Sequence, residues 1–315
     1  MQLPWKKKAG WAMRKQARKV AFRREIPLIV MLLPSVIILF IFSYIPLFGV
    51  VIAFQRYLPS LGVLGSRFVG FDNFRDLFML PTFNQVLWNT VYIAFMKIVF
   101  MLVVPIIVAL LLNEAKNQFV KRGVQTIIYM PFFMSWVILG GIFIDLLSPS
   151  TGAFNNFLGL FGIEPIFFLA DNNWFPTVLI STHVWREFGF GTIVFLAALT
   201  SIDPSLYEAA TVDGAARWKQ TWHITLPGMM PIIVLMTVLS LGGILNAGFD
   251  QVFNLYSPVV YESGDILDTL IYRMGLINMR FGLATAAGLF RSVVSLVFIV
   301  TSYWLAAKYS NYRVL

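Results

Sequence analysis

Six apolar stretches, at roughly 27–54, 86–112, 124–147, 175–200, 228–249 and 284–307, decide what this chain can fold into. A hydrocarbon core of about 30 Å is crossed by about 20 helical residues, somewhat more when the helix tilts. Each stretch meets that length. Prolines inside them (Pro34, Pro46, Pro105, Pro131, Pro231) are compatible with membrane helices, whose neighbours can satisfy the freed carbonyls. No strand-like alternation runs through the stretches, which argues against a β-barrel. The predicted class is therefore an all-α membrane protein with six transmembrane helices. Composition agrees, because 12% charged residues is about half of what a soluble domain uses to cover its surface.

The positive charge orients the spans. Of 24 Lys and Arg, nine precede Glu25: Lys6, Lys7, Lys8, Arg14, Lys15, Arg18, Lys19, Arg23 and Arg24. With that arm inside, the cytoplasmic segments also hold Lys116, Lys121, Arg122, Arg217, Lys219, Lys308 and Arg313. The outer segments hold only Arg56, Arg67, Arg75, Arg273 and Arg280, while Lys97, Arg186 and Arg291 fall within spans. This bias predicts that both termini face the cytoplasm. A basic arm joined to a long apolar run reads as a membrane flank, and with no second patch of that density nucleic acid is not an expected partner. The run from Ile26 is too long for the apolar region of a secretory leader, about 7–15 residues, and is expected to stay as a span. The chain divides into a basic cytoplasmic arm (1–25), a first span with its outer loop (26–85), a core of five spans (86–307) and a short cytoplasmic tail (308–315).

Chemistry of its own is not expected. There is no cysteine, and His183 and His223 form no HExxH pair, so neither catalytic nor metal-ligating residues are assigned. G-x-S-x-G is missing, and no two carboxylates share a membrane depth, which disfavours an intramembrane enzyme. A secondary transporter would call for internal repeats that the segments do not display. No phosphate-cradling G-x-x-x-x-G-K-[ST] occurs either, so any ATP chemistry belongs to another polypeptide.

The connection from Ser201 to Trp218 is the most informative. Asp203 followed by Pro204 is a strong helix start, and Asp213-Gly214 is a strong stop. A second helix is expected from about Ala215 toward Leu226-Pro227, where the fifth span begins. The prediction is a helical elbow projecting from the membrane, with Tyr207 and Trp218 as knobs. Farther on, Ile266, Leu267, Leu270, Ile271 and Met274 recur at helical spacing behind Asp265, which predicts an amphipathic helix lying on the outer face.

Within the elbow, Glu208, Ala209, Ala210, Gly214, Ile224, Leu226 and Pro227 reproduce the spacing Glu-Ala-Ala, three residues, Gly, nine residues, Ile-x-Leu-Pro. The elbow resembles the EAA loop of ABC importer permeases. Together with the outer run Phe68-Val69-Gly70-Phe71-Asp72-Asn73-Phe74 and the segment Phe249 to Tyr256, the chain is similar to type I carbohydrate importer permeases, in the branch taking up complex oligosaccharides, including uronate-containing ones. That resemblance implies that the elbow docks in a cleft of a separate nucleotide-binding subunit. It also implies two ATPase copies using ATP and Mg, a second homologous permease, a heterodimer of permeases, and an extracytoplasmic sugar-binding protein. No cofactor is expected on this chain.

A sugar path would combine aromatic faces with amides or charges. Tyr92, Asn246, Phe249, Asp250 and Asn254 offer that mixture, and Lys97 or Arg186 would suit an acidic sugar. Arg186 and Glu187 are adjacent, so on a helix they point about 100° apart and are not expected to be simple partners. Lys97 has no evident partner at its depth.

Overall fold

The computed structural model describes residues 26–115 and 117–309. The basic arm, Lys116 and Arg313, which weigh heavily in the orientation reading, lie outside the described residues. The order is α1 (Ile26–Phe54), β1 (Gln55–Arg56), β2 (Arg67–Phe68), α2 (Asp72–Met79), α3 (Phe83–Glu114), α4 (Gln118–Phe133) and α5 (Trp136–Leu146). Then follow α6 (Ala153–Gly159), α7 (Phe175–Thr200), α8 (Pro204–Val212), α9 (Arg217–Leu241), α10 (Phe249–Leu255), α11 (Leu267–Tyr272) and α12 (Phe281–Tyr309). Four helices (α1, α3, α9, α12) can each cross a bilayer by length and apolarity. Two bent pairs, α4–α5 and α7–α8, raise the count to as many as six. A two-residue antiparallel ladder, Gln55 opposite Phe68 and Arg56 opposite Arg67, is the one strand pairing among the described residues.

The third span is not the continuous helix expected over 124–147. It breaks between α4 and α5 with a bend of 103°. Pro131 removes a helix N–H, Met134 turns extended at ψ 139°, and the Ser135 hydroxyl accepts from Ile138 N–H to restart the helix. The fifth span also differs from the expected 228–249. Its helix begins at Arg217, runs through Leu226-Pro227, and ends at Leu241. A π-turn at Thr221–Thr225 lets the helix pass the proline without an N–H at residue 227. At the far end, Gly242 is pressed against Ile299, and an irregular stretch leads to Gly248, whose φ of +90° suits glycine.

Helices α3 and α7 form the central pair. Gly191 permits close approach to the Pro105 ring, 3.0 Å from where a Cβ would sit, and Phe195, Ala109 and Met229 fill the layer beside it. Toward the other end, Ile93, Leu139, Phe143, Phe175, Leu179, Val252 and Ile266 form a second core. α11 is part of the packing and does not lie on an outer face. Leu267, Leu270 and Met274 are buried against Leu77, Phe83, Leu283 and Ala287. Side chains of α3 hold this segment in place: Thr90 accepts from Leu267 N–H at 2.8 Å, and the Asn89 amide donates to Glu262 C=O at 2.9 Å. The apolar periodicity was correctly helical, but protein covers it. By contrast, the most apolar window of α1 is 0% buried within the chain, as expected of a surface that meets lipid or another subunit.

Close approach of α7 to α4 rests on one glycine. A Cβ on Gly189 would lie 2.0 Å from Ile128 O and 2.6 Å from its carbonyl carbon, both backbone atoms that cannot rotate away. Gly189→Ala is expected to destabilise the chain by about 1–3 kcal/mol or more. Gly123→Ala, with open space around it, should cost nothing. Thermal midpoints of the purified complex in detergent compare the two, and equal midpoints would contradict the packing described.

Candidate functional site

Two features stand out: an elbow at one end of the bundle and a polar cavity inside it. At the elbow, α7 turns into α8 with a bend of 68°. Asp203 caps α8 by accepting from Ser205 N–H at 2.9 Å, and that backbone donor holds its carboxyl below the usual carboxylate range. Gly214 adopts φ +74° with nothing within 4 Å of a notional Cβ, so its role is to let the chain turn, not to make room. Gln220 donates to Ala215 C=O at 2.9 Å and to the Thr211 hydroxyl at 3.2 Å, closing the elbow on itself. Arg217 pairs with Glu114 at 2.6 Å, tying the base of α9 to the end of α3.

Tyr207 is not the outward knob expected. Its hydroxyl bonds the Thr225 hydroxyl at 3.0 Å, so the ring braces α8 against α9. The projecting apolar groups are Leu206, Val212 and Trp218, with Val212 88% exposed. Sequence reading did not single out Leu206 or Val212, though an apolar side chain at the end of a polar elbow was a readable signal. Glu208 and Ala209 are exposed beside them, Ala210 and Ile224 are half-buried, Leu226 is half-buried and Pro227 exposed. Val212 thus stands exposed beside the acidic Glu208 and the small Ala209.

The cavity, about 690 Å³, is lined by Ser135, Trp136, His183, Arg186, Asn246, Phe249, Asp250, Gln251, Asn254, Asp268 and Arg291, among others. It brings together five of the seven path residues singled out: Arg186, Asn246, Phe249, Asp250 and Asn254. Lys97 stands behind the lining, 4% exposed, and Tyr92 is on a part of α3 that does not line it. Phe249 stacks on Phe253 and tilts against Tyr272, giving one wall an aromatic face. His183, Asp268 and Arg291 were missed as lining groups. Arg291 was readable as a charge within a span, whereas Asp268 belongs to a segment assigned to the exterior.

Each cation inside the bundle seals a broken helix. Lys97 donates to Ala247 C=O at 2.6 Å and to the Gln251 side chain, whose amide in turn reaches Leu179 C=O and the Thr182 hydroxyl at 2.7 Å. Arg291 donates to Leu245 C=O at 3.1 Å and pairs with Asp268. Arg186 donates to Met134 C=O and Phe132 C=O, both at 3.1 Å, and pairs with Glu187. The last pairing corrects the expectation for that couple. A 100° offset separates the Cβ directions, but two long side chains bridge it at the break. The charges satisfy carbonyls that irregular backbone leaves unbonded where water is scarce. In the cavity lining both arginines are thus neutralised from within, and Asp250 carries no ion pair among the described residues.

Comparison with known proteins follows the same outline. The family described as binding-protein-dependent transport system inner membrane component matches residues 101–311. Protein LplB of Bacillus subtilis is 40% identical over 291 residues, covering 92% of each chain. The polygalacturonan/rhamnogalacturonan transport system permease protein YteP of the same organism is 43% identical over 284 residues, 90% of this chain and 88% of its own. Among solved structures, a chain of a bacterial ABC transporter importing the acidic polysaccharide alginate superposes with TM-score 0.85 at 39% identity, covering 93% of this chain and 99% of that one. A bacterial alginate ABC transporter in complex with alginate pentasaccharide-bound periplasmic protein gives TM-score 0.83 at 40% identity, covering 91% and 96%.

Proposed function

The chain belongs to the binding-protein-dependent transport system inner membrane components, and from that premise we propose that it is a permease subunit of an ATP-driven oligosaccharide importer, with uronate-containing glycans as the substrate class. The elbow carries the reading. A bent helix pair with an exposed apolar knob and the Glu208-Ala209-Ala210…Gly214…Ile224-x-Leu226-Pro227 spacing is suited to transmit motion from a separate ATPase. The chain itself contributes no catalysis. ATP and Mg are used by two ATPase subunits, a second homologous permease completes the pathway, and an extracytoplasmic protein delivers the sugar. Both termini face the cytoplasm, which puts the elbow on the ATPase side of the inner membrane. Rocking of the spans about the elbow gives alternating access.

The cavity supports the sugar half of the reading. An aromatic wall at Phe249 suits the C–H face of a pyranose, and Asn246, Asn254 and Asp250 suit hydroxyls. A uronate carboxylate can engage Arg186 or Arg291 only by sharing them with Glu187 or Asp268. That sharing discriminates acidic from neutral sugars less strongly than free arginines would.

Co-expression with the neighbouring permease, ATPase and binding protein, followed by ATPase assays over a panel of oligosaccharides, tests the assignment. Galacturonan-, rhamnogalacturonan- and alginate-derived oligomers are expected to stimulate hydrolysis more than neutral arabino-oligosaccharides. Equal silence across the panel would remove the substrate class, and stimulation by the neutral sugars alone would remove the uronate reading.

A further inference from the structure

At the end of α1 remote from the elbow, a second polar cavity of about 520 Å³ opens between β1, α2 and the start of α12. Its volume falls within the roughly 300–1,000 Å³ typical of small-molecule sites. Two arginines, Arg56 and Arg280, line it with Asn73, Asp76 and the buried Gln55. Among the described residues, neither guanidinium lies within ion-pairing distance of a carboxylate. Arg56 also stands directly opposite Arg67 in the β1–β2 ladder. Like charges in that position are destabilising, and a bound anion would relieve them.

The wall is rigid. The Asn73 amide donates to Ala53 C=O at 2.8 Å and to Gln55 C=O at 2.9 Å. A Cβ on Gly282 would come within 2.6 Å of Gln55 O, so α12 starts hard against β1. Apolar side chains share the lining: Met279 is 65% exposed, Leu80 and Leu283 stand with it, and Tyr57 packs edge-on against Phe281 at 5.8 Å. Guanidinium groups beside an exposed methionine and an aromatic pair, at the ends of spans, match the headgroup layer of a membrane.

We propose that this cavity binds the phosphodiester headgroup of a membrane glycerophospholipid, with the phosphate held by Arg56 and Arg280. Asp76, on the same wall, suits the ammonium of an ethanolamine or the hydroxyls of a glycerol. The acyl chains would follow the exposed faces of α1 and α12. An acidic surface of a partner protein is less well matched, because a lone carboxylate would leave Asp76 repelling it and the apolar part of the lining in water.

The test uses the complete transporter, delipidated in mild detergent and exposed to phosphatidylglycerol, phosphatidylethanolamine or phosphatidylcholine. Native mass spectrometry reads the lipid retained. Loss of two charge-assisted contacts in Arg56→Gln/Arg280→Gln is expected to weaken retention of the favoured lipid by roughly tenfold or more. Arg56→Lys/Arg280→Lys, which keeps the charge, should retain most of it and guards against misfolding of the first variant. Arg75→Gln, outside the cavity, should match wild type. Preference for phosphatidylethanolamine that disappears in Asp76→Asn identifies the ammonium contact, whereas preference for phosphatidylglycerol identifies the hydroxyl one. Equal retention by wild type and the double glutamine variant overturns the proposal. So does loss of binding-protein-stimulated ATP hydrolysis in Arg56→Gln/Arg280→Gln with lipid retention unchanged, which would make the surface a protein-docking site.

Discussion

Gly214→Val in the assembled transporter is expected to abolish most of the ATP hydrolysis stimulated by the binding protein, while the chain still inserts and assembles. The expectation follows from backbone geometry. Gly214 holds φ +74° in open space, so valine meets no clash, but a β-branched residue is strongly disfavoured in the left-handed region. The cost of about 1–2 kcal/mol falls on the turn between α8 and α9 and nowhere else. Relaxing the turn swings Leu206, Val212 and Trp218 away from the positions in which α8 and α9 now present them. A shift of 1.4 kcal/mol is about tenfold in population, so stimulation should fall by about that factor or more. Gly214→Asn should keep more activity than Gly214→Val, because asparagine tolerates this conformation. Ala210→Glu tests the same surface by another route, placing a long charged side chain at a half-buried position of α8. Full stimulation in both Gly214→Val and Ala210→Glu would show that the elbow is only a connection.

How much of this was legible in the sequence depends on the physics at each position. Span existence was readable, since about 20 apolar residues have few other fates. The bounds of α8 were readable, because Asp203-Pro204 and Asp213-Gly214 act locally and the structure keeps both, whereas the side chains that project from it were not. The breaks were not. Pro131 and Gly242-Gly243 marked possible sites, but prolines at 46, 105 and 231 sit within helices that continue. Which proline breaks a span depends on whether another element can satisfy the freed carbonyls. Arg186, 52 residues from Met134, Lys97, 150 residues from Ala247, and Arg291, 46 residues from Leu245, supply that information. The position of α11 was hidden for a similar reason. Its periodicity gave a buried face without saying whether lipid, water or Thr90 and Leu283 would meet it.

Arg186→Ala should be the most destabilising single change in the cavity. The guanidinium answers three needs at once: carbonyls at Phe132 and Met134, and the carboxylate of Glu187. Its removal leaves a partly buried carboxylate unpaired, a change that costs about 3–5 kcal/mol when burial is complete. Side-chain exposures of 18% and 20% put this pair toward the lower end, and the two abandoned carbonyls add to the loss. Lysine cannot replace the arginine, because one ammonium does not span two carbonyls and a carboxylate with a planar fork's geometry. Arg186→Lys should therefore recover only part of the thermal midpoint. Arg186→Met/Glu187→Gln removes the orphaned charge and should be more stable than Arg186→Ala alone, though still below wild type because the carbonyls stay unbonded. That ordering separates a seal from a substrate contact. A residue whose only role was to hold a sugar carboxylate would alter stimulation by acidic oligosaccharides and leave the midpoint of the sugar-free complex unmoved. A midpoint unchanged in Arg186→Ala would thus return Arg186 to the transport path, and the break at Met134 would need another explanation.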